Sequence, residues 1–460
     1  MEQKKKLKEK VFQKFVRDVL ERKSISCEKS IVFDYKEKAF GDNAVLIEFD
    51  AFCENGFEEY VGPVIFEIRP RNLSQDAIRS FQERINNNTT LKRAKVIYVV
   101  NEKIDFVTLL DNTVIWDLDT INRWIKDYPI EYFNALNSKD ELEISNKGKN
   151  EEVIPYEDDE FERIKEIYIK GLGIEVRKGR PLGLVLGAGV SIEQGAKKWN
   201  DLLLDLKQLA QKRGLADDSN KLADKVGGSS LTTAQMCKDI FKNERDFLWE
   251  VHQSLYPQKS FTLKKGSELE AVARLANRHK NLRHFRILTY NFDDYLERYL
   301  NDVGVVYTIL DSVKDEYFKG KTKAEVYEMN GKITNEFNVY HVHGYLPYSS
   351  NKTSLRGSIC LTEADYNLLY NQPYSWPIIS QMSFFRENMC LFIGCSLTDP
   401  NIRRLLELAC TDGRWHYAII HKEGLSTKDL AQATAHFYRL GVRIIWIDDY
   451  SEISAILDRI

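Results

Sequence analysis

Apolar residues at positions 12, 15, 16, 19 and 20 recur at helical spacing and predict an amphipathic helix over Lys8–Arg22. Apolar, β-branched runs at Ala44–Phe52 and Pro63–Ile68 predict strands. The pattern returns to helix at Ser74–Ile85, and Ala94–Val100 and Thr113–Trp116 read as buried strands. It lapses between Asn137 and Glu160, where Asn146-Lys147-Gly148-Lys149-Asn150-Glu151-Glu152 carries charge without apolar periodicity and predicts a linker. Beyond it, short apolar segments at Leu182–Leu186, Arg286–Thr289, Val339–His343, Met389–Gly394, Tyr417–Ile420 and Arg443–Ile447 alternate with helical patterns. That alternation predicts an α/β fold, a Rossmann-like parallel sheet with helices on both faces, preceded by a smaller α/β domain.

The pattern divides the 460 residues into a domain at 1–136, a linker at 137–160 and a domain at 161–460. A 43% hydrophobic content suffices for two large cores, and 66 basic against 69 acidic residues leave a net charge of −3. The whole chain therefore has no global attraction to nucleic acid or anionic lipid. The opening Met1-Glu2-Gln3-Lys4-Lys5-Lys6 lacks the apolar core of a signal peptide. No stretch approaches the roughly 18 apolar residues that a membrane span needs. The cysteines at 27, 53, 237, 360, 390, 395 and 410 are scattered without Cys-x-x-Cys spacing, so neither a disulfide framework nor a structural zinc site is expected. A reducing cytoplasm, with no membrane contact, is the expected setting.

The strongest local signal is Leu184-Val185-Leu186-Gly187-Ala188-Gly189-Val190-Ser191, a buried strand ending in a Gly-Ala-Gly turn. Missing side chains at 187 and 189 would let backbone approach a ligand, and free N–H groups at the start of a helix running through Trp199 would favour a pyrophosphate. An ordinary tight turn fits the same residues, because the third glycine of the dinucleotide fingerprint is missing. Three more strands end in polar or small residues: Thr289-Tyr290-Asn291-Phe292-Asp293, Tyr340-His341-Val342-His343-Gly344, and Ile393-Gly394-Cys395-Ser396-Leu397-Thr398-Asp399-Pro400. In an open parallel sheet, ligands sit beyond the carboxyl ends of strands, so the four segments describe one lined crevice. Bland roles remain open for each group. Asn291 and Asp293 could cap a helix, Ser396 and Asp399 could be turn and cap residues, and either histidine could be structural. On one strand His341 and His343 would share a face.

In this order, Gly-Ala-Gly-x-Ser, Thr-x-Asn-x-Asp, His-Gly and Gly-x-Ser resemble the sirtuin family over residues 165 to 450. Trp199-Asn200-Asp201-Leu202-Leu203 and Asp399-Pro400-Asn401-Ile402 make the sirtuin-like NAD hydrolases of bacterial anti-phage defence the most similar branch. The resemblance implies that NAD is the substrate and that Gly187, Ala188, Gly189 and Ser191 contact its phosphates and adjacent ribose. It implies that Asn291 holds the attacking water, Asp293 helps seat the nicotinamide carboxamide, and His343, which directly precedes glycine, acts as general base. Gly394 and Ser396 would line the adenosine side, with Asp399 nearby. The paired Cys-x-x-Cys zinc module of protein-deacylating sirtuins is absent from this sequence, Glu193-Gln194-Gly195-Ala196-Lys197-Lys198-Trp199 replaces their Phe-Arg loop, and Tyr290 replaces their usual glutamine. These departures imply hydrolysis to nicotinamide and ADP-ribose rather than deacylation.

The first domain carries Asp50 at a strand end and Val64-Ile65-Phe66-Glu67-Ile68-Arg69 on the next strand. Two carboxylates and a cation around one spot suit a divalent metal such as Mg and phosphodiester hydrolysis, with Asp50 and Glu67 as ligands. The order of elements resembles restriction-endonuclease-like domains of the Mrr type. Arg69 stands where those domains have lysine, and a permanently protonated guanidinium cannot serve as a base. An inactive domain kept for docking or DNA contact therefore remains an alternative. The resemblance further implies NAD depletion in defence, a homo-oligomer and a HerA-type ATPase partner. Two other readings stay open: a DNA nuclease whose sirtuin-like part senses NAD or ADP-ribose, and a non-enzymatic nucleotide-gated scaffold.

Overall fold

The computed structural model describes residues 6–38, 46–70, 73–88, 91–104, 111–136, 158–214, 229–257, 262–279, 285–311, 337–353, 355, 359–371, 374–409 and 415–460. The chain divides into two compact units, Met1–Ile174 with Gly424–Arg439, and Glu175–Glu423 with Leu440–Ile460. Of the linker expected at 137–160, residues 137–157 lie outside the described residues, and from Asp158 the chain is helical. Cys410 also lies outside them.

The first unit runs α1 (Glu9–Ser26), β1 (Val32–Lys38), β2 (Leu46–Cys53), β3 (Val64–Arg69), α2 (Gln75–Asn86), β4 (Lys95–Val100), β5 (Thr113–Trp116), α3 (Leu118–Asp127), α4 (Pro129–Leu136) and α5 (Asp158–Arg177), the last continuing into the second unit. Its five strands lie in sequence order. β1, β2 and β3 pair antiparallel, while β3, β4 and β5 pair parallel, giving a mixed sheet. The two-residue period of the strands sorts side chains to two faces. Val64, Phe66, Ile97 and Val99 pack with Phe12, Phe15, Val16 and Val19 of α1 and with Trp124 and Tyr132. Ile65, Val96, Tyr98 and Val100 pack with Ile78, Phe81 and Ile85 of α2. Each fully buried Phe or Leu there contributes about 1.5–3 kcal/mol. Ser74 starts α2 by accepting from the Ala77 N–H at 3.2 Å. Arg22 is buried between Glu131 (2.8 Å) and Glu160 (3.0 Å), binding α1, α4 and α5 through charges that need one another once out of water.

The second unit begins with β6 (Leu182–Leu186), α6 (Gly189–Ile192), α7 (Trp199–Lys212), α8 (Ser230–Lys238), α9 (Glu244–Leu255) and α10 (Glu268–His279). β7 (Arg286–Thr289), α11 (Tyr295–Asp302), β8 (Tyr307–Asp311), β9 (Phe337–His341), α12 (Glu363–Tyr370) and α13 (Trp376–Glu387) follow. The chain ends with β10 (Met389–Ile393), α14 (Pro400–Ala409), β11 (His416–His421), α15 (Thr427–Arg439), β12 (Val442–Ile447) and α16 (Glu452–Asp458). Every pairing in the seven-stranded sheet is parallel, in the order β12-β11-β10-β6-β7-β9-β8. The strands β6, β10 and β12 are buried at every position, as unbroken apolar runs require when helices cover both faces. From β6 the chain builds outward through β7, then returns to place β10 on the other side of β6. That reversal puts the topological switch point of the sheet at β6 and β10.

Helix α15 belongs to the first unit although it connects β11 to β12. Within that unit the Tyr438 hydroxyl donates to Asp18, and Lys14 lies 4.8 Å over the Tyr438 ring.

Three sequence expectations shift. The helix after the glycine turn is only the four residues of α6; the long helix starts anew at Trp199, after Gly195 takes a φ of +92°. Strand β9 ends at His341 rather than His343, because Gly344 (φ +102°) turns the chain and returns its N–H to the His341 carbonyl at 3.3 Å. His341 and His343 therefore do not share a strand face. Strands β1 and β8 escaped the pattern: β1 carries Asp34 and Lys36, and β8 is a half-buried strand paired, among the described residues, with β9 alone.

Candidate active site

Beyond the carboxyl ends of β6, β7 and β9 lies a cavity of about 150 Å³, lined by Ala188, Ser191, Ala196, Lys197, Trp199, Leu202, Leu255, Tyr290, Asn291, Phe292, Asp293, His343, Cys360 and Tyr366. The sequence-predicted Ala188, Ser191, Asn291, Asp293 and His343 thus meet in one enclosure. Strand ends explain the convergence: Gly187 follows β6, Asn291 follows β7 by two residues, and His343 follows β9 by two.

At the centre, Asn291 is held from three sides. Its N–H donates to Thr289 Oγ1 at 3.0 Å, and its Nδ2 donates to the Gly187 carbonyl at 3.0 Å and to Ser191 Oγ at 3.1 Å. The same bonds leave Asn291 Oδ1 buried with no partner among the described residues, an acceptor that a ligand or water could satisfy. Ser191 Oγ donates to Asp293 Oδ1 at 3.0 Å, and the Tyr295 N–H donates to the same oxygen at 3.2 Å. Burial outweighs those donors and raises the Asp293 carboxyl to about 7, with Glu297 adding repulsion.

His341 sits outside the lining. One ring nitrogen is 3.0 Å from the Asn291 carbonyl and the other 2.8 Å from Glu297 Oε1. The carbonyl only accepts, so the nitrogen facing it donates, and the other nitrogen pairs with the Glu297 carboxyl. Burial opposes a charge on the ring, but Glu297 outweighs it and raises the pKa. His341 is the structural histidine of the pair, clamping the Asn291 backbone. His343 instead enters an aromatic box of Tyr290, Tyr366 and Tyr370, with ring centroids at 4.9, 5.4 and 6.4 Å, and its Nε2 lies 3.1 Å from the Tyr370 hydroxyl. Burial pushes its pKa down to about 4, so the ring is neutral at neutral pH.

The glycines do something the sequence did not suggest. A Cβ on Gly187 would stand 2.5 Å from the Gly394 carbonyl oxygen, one on Gly189 would stand 2.7 Å from Gly394 Cα, and one on Gly394 would stand 2.6 Å from the Val190 nitrogen. The three glycines let the β6 and β10 turns interlock. Gly187 N–H donates to Ile393 O and Gly189 N–H to Gly394 O, so these two donors are already used. Ser396 is exposed and bonds Thr398 at 2.8 Å. Asp399 opens α14 by accepting from the Asn401 N–H at 2.8 Å, and it also accepts from the Tyr366 hydroxyl at 3.2 Å. Gly394, Ser396 and Asp399 do not line the cavity.

Sequence reading passed over Lys197, Cys360, Tyr366, Tyr370 and Gln381. Tyr366 and Tyr370 stand four apart on α12 and so share a helix face, a signal that identifies a packed stripe but not its partner. Lys197 is the one cation among the lining residues and is paired with Asp205.

In the first unit, Asp50 lies one position beyond the Ala51–Phe66 pair on β2, level with Glu67 on β3. Asp50 Oδ2 accepts from the Ile68 N–H at 2.7 Å, and the buried Glu67 is paired with Arg69. Burial raises the Glu67 carboxyl to about 7. No cluster of three His, Cys, Asp or Glu side chains suited to a metal occurs among the described residues, and Asp50 and Glu67 are engaged by the Ile68 N–H and by Arg69. No described helix is long and apolar enough to cross a membrane.

Two comparisons with known proteins bear on the chain. The NAD(+) hydrolase ThsA of Enterococcus faecium is 25% identical over 325 residues, 64% of this chain, and the chain covers 58% of that relative's length. A family model described as the SIR2-like domain matches residues 286–442, so the segment from the start of β7 to the start of β12 is similar to that family.

Proposed function

We propose that the cavity takes the nicotinamide–ribose end of NAD and that the protein hydrolyses the bond between them, releasing nicotinamide and ADP-ribose. The observation that carries this reading is the buried, unpartnered Asn291 Oδ1 inside an enclosure shared with Ser191, Asp293 and His343. The similarity to a relative named as an NAD(+) hydrolase supports the substrate. Nicotinamide in NAD is a cationic leaving group that departs neutral, so the site needs to orient water rather than supply a strong acid. Asn291 Oδ1 would accept from that water, Asp293 would seat the carboxamide, and His343 would bond the ribose hydroxyls. Ala188 and Ser191 would border the ribose, with Gly394, Ser396 and Asp399 toward the adenosine. NAD consumption of this kind would serve anti-phage defence by depleting the infected cell.

A cavity of about 150 Å³ suits the nicotinamide end rather than a whole dinucleotide. The diphosphate needs a positive partner, and the Gly187 and Gly189 N–H groups are engaged with the β10 turn. Lys197 at the lining, paired with Asp205, would supply the charge by turning to the phosphates. Lys197→Ala should raise KM for NAD about tenfold while lowering kcat far less, as loss of a charge-assisted contact to a non-reacting group does. Steady-state kinetics of both parameters check this, and an unchanged KM removes Lys197 from the site. The function itself is tested by incubating purified protein with NAD and quantifying nicotinamide and ADP-ribose chromatographically. Absence of both products at every enzyme and NAD concentration overturns the proposal.

A further inference from the structure

The segment that carries Asn291 and Asp293, residues 290–294, runs between β7 and α11 and so lies outside both regular ladders. Its buried carbonyl groups must find partners elsewhere. That of Phe292 accepts from the Leu346 N–H at 2.7 Å, whereas that of Asn291 faces a side chain, His341 Nδ1 at 3.0 Å. The sheet puts the ring there. His341 ends β9 and is the register partner of Thr289, which ends β7, so the ring stands beside the strand end that Asn291 follows by two residues. The other ring nitrogen, Nε2, is 2.8 Å from Glu297 Oε1 in the first turn of α11, and the Tyr345 ring lies 4.5 Å from the imidazole. The side chains of His341 and Glu297 are 1% and 4% exposed. Apolar residues of the same size would pack there at less cost, so core filling does not account for this pair.

Asn291 is thereby gripped at two points. Its amide is tied to the turn after β6, through Gly187 O and Ser191 Oγ, and its backbone to the end of β9, through His341. We propose that His341 and Glu297 are positioning residues for the reaction in the cavity: Glu297 sets the orientation of the ring, and the ring fixes the 291–292 peptide so that Asn291 Oδ1 keeps its place. Neither residue lines the cavity, so both act through Asn291. The reaction itself rests on the NAD-cleaving reading. Without the ring, the peptide can rotate while the amide stays tied to the β6 turn, and Oδ1 then shifts relative to Asp293 and His343. A displacement of about 1 Å at a group that orders the attacking water costs about 10²-fold in rate.

The test uses the full chain. His341→Leu should lower kcat for nicotinamide release by about 10- to 10²-fold, no further than Asn291→Ala does, with KM for NAD within about threefold of wild type. His341→Asn should recover most of that loss, because an asparagine amide can place an N–H near the position of Nδ1. Equal losses in the two variants, or wild-type kcat in His341→Leu, overturn the proposal. In an Asn291→Ala background, His341→Leu should cost less than about threefold more, since residues that act through one group are not additive. The full loss in that background overturns the proposal, because a merely structural role is additive. Thermal unfolding accompanies each variant. If His341→Leu does not fold, Glu297→Leu and Glu297→Gln make the same comparison, glutamine keeping the acceptor oxygen and leucine removing it. Should wild type release no nicotinamide, the NAD reading falls, and the Asn291 side-chain amide signal of ¹⁵N-asparagine-labelled protein, identified by its loss in Asn291→Ala, still decides the placement. That signal should move in Glu297→Leu and stay in Glu297→Gln; an unmoved signal in Glu297→Leu overturns the proposal.

Discussion

Asn291→Ala should lower kcat for nicotinamide release by about 10²- to 10³-fold, the size of effect seen when one preorganised polar group is removed from a reacting centre, and should also lower folding stability. The argument is geometric. Gly187 O and Ser191 Oγ fix the amide, so Oδ1 is presented without rotation and without a competing partner. A water bound there is ordered before the reaction, and alanine removes the acceptor while leaving His341 on the Asn291 backbone carbonyl, which any residue supplies. The two side-chain bonds lost are worth about 1 kcal/mol each, so stability should fall by about 2 kcal/mol while kcat falls further than that loss explains. Single-turnover product formation and thermal unfolding, measured together, separate the two. Wild-type kcat in this variant would remove Asn291 from the chemistry.

Gly394→Ala should be the most damaging small substitution in the second unit. Gly394 has φ +66°, where a side chain costs about 1–2 kcal/mol, and its new methyl would meet the Val190 backbone nitrogen at 2.6 Å. Backbone cannot rotate away as a side chain can, so overpacking adds about 1–3 kcal/mol. Gly304 separates the two contributions: it has φ +67° but nothing within 4 Å of an added Cβ. Gly304→Ala should show the conformational cost alone. Urea unfolding of both variants checks this, and equal losses would mean that the two turns are not packed as tightly as their contacts indicate. Gly394→Ala should also depress activity, because prising the turns apart moves Gly187 and the Asn291 bond with it.

The α/β alternation and the parallel sheet were legible because fully buried strands read as unbroken apolar runs, as in Leu182–Leu186 and Met389–Ile393. Strand β1 was not, because Asp34 and Lys36 break its run, and half-buried β8 offers no strong period. The convergence of Ser191, Asn291, Asp293 and His343 was foreseen from strand ends and motif order. Which partner each group takes was not, since this depends on atoms far apart in the chain. Asp293 and Ser191 are 102 residues apart, and Tyr290 and Gln381 are 91. The glycine turn shows the limit most clearly. Its sequence says only that something comes close, and the structure identifies that neighbour as the Gly394 turn.

The placement of α15 has a practical corollary for dissecting the protein. Part of the first unit is encoded between two strands of the second, so no single cut separates the halves. Expressing residues 1–174 alone would omit Leu430, Ala431 and Tyr438 from a face they help to bury, and expressing 175–460 alone would strand the same side chains in water. Either fragment should be sticky and poorly behaved, and loss of function on truncation would then report solubility rather than the location of an activity.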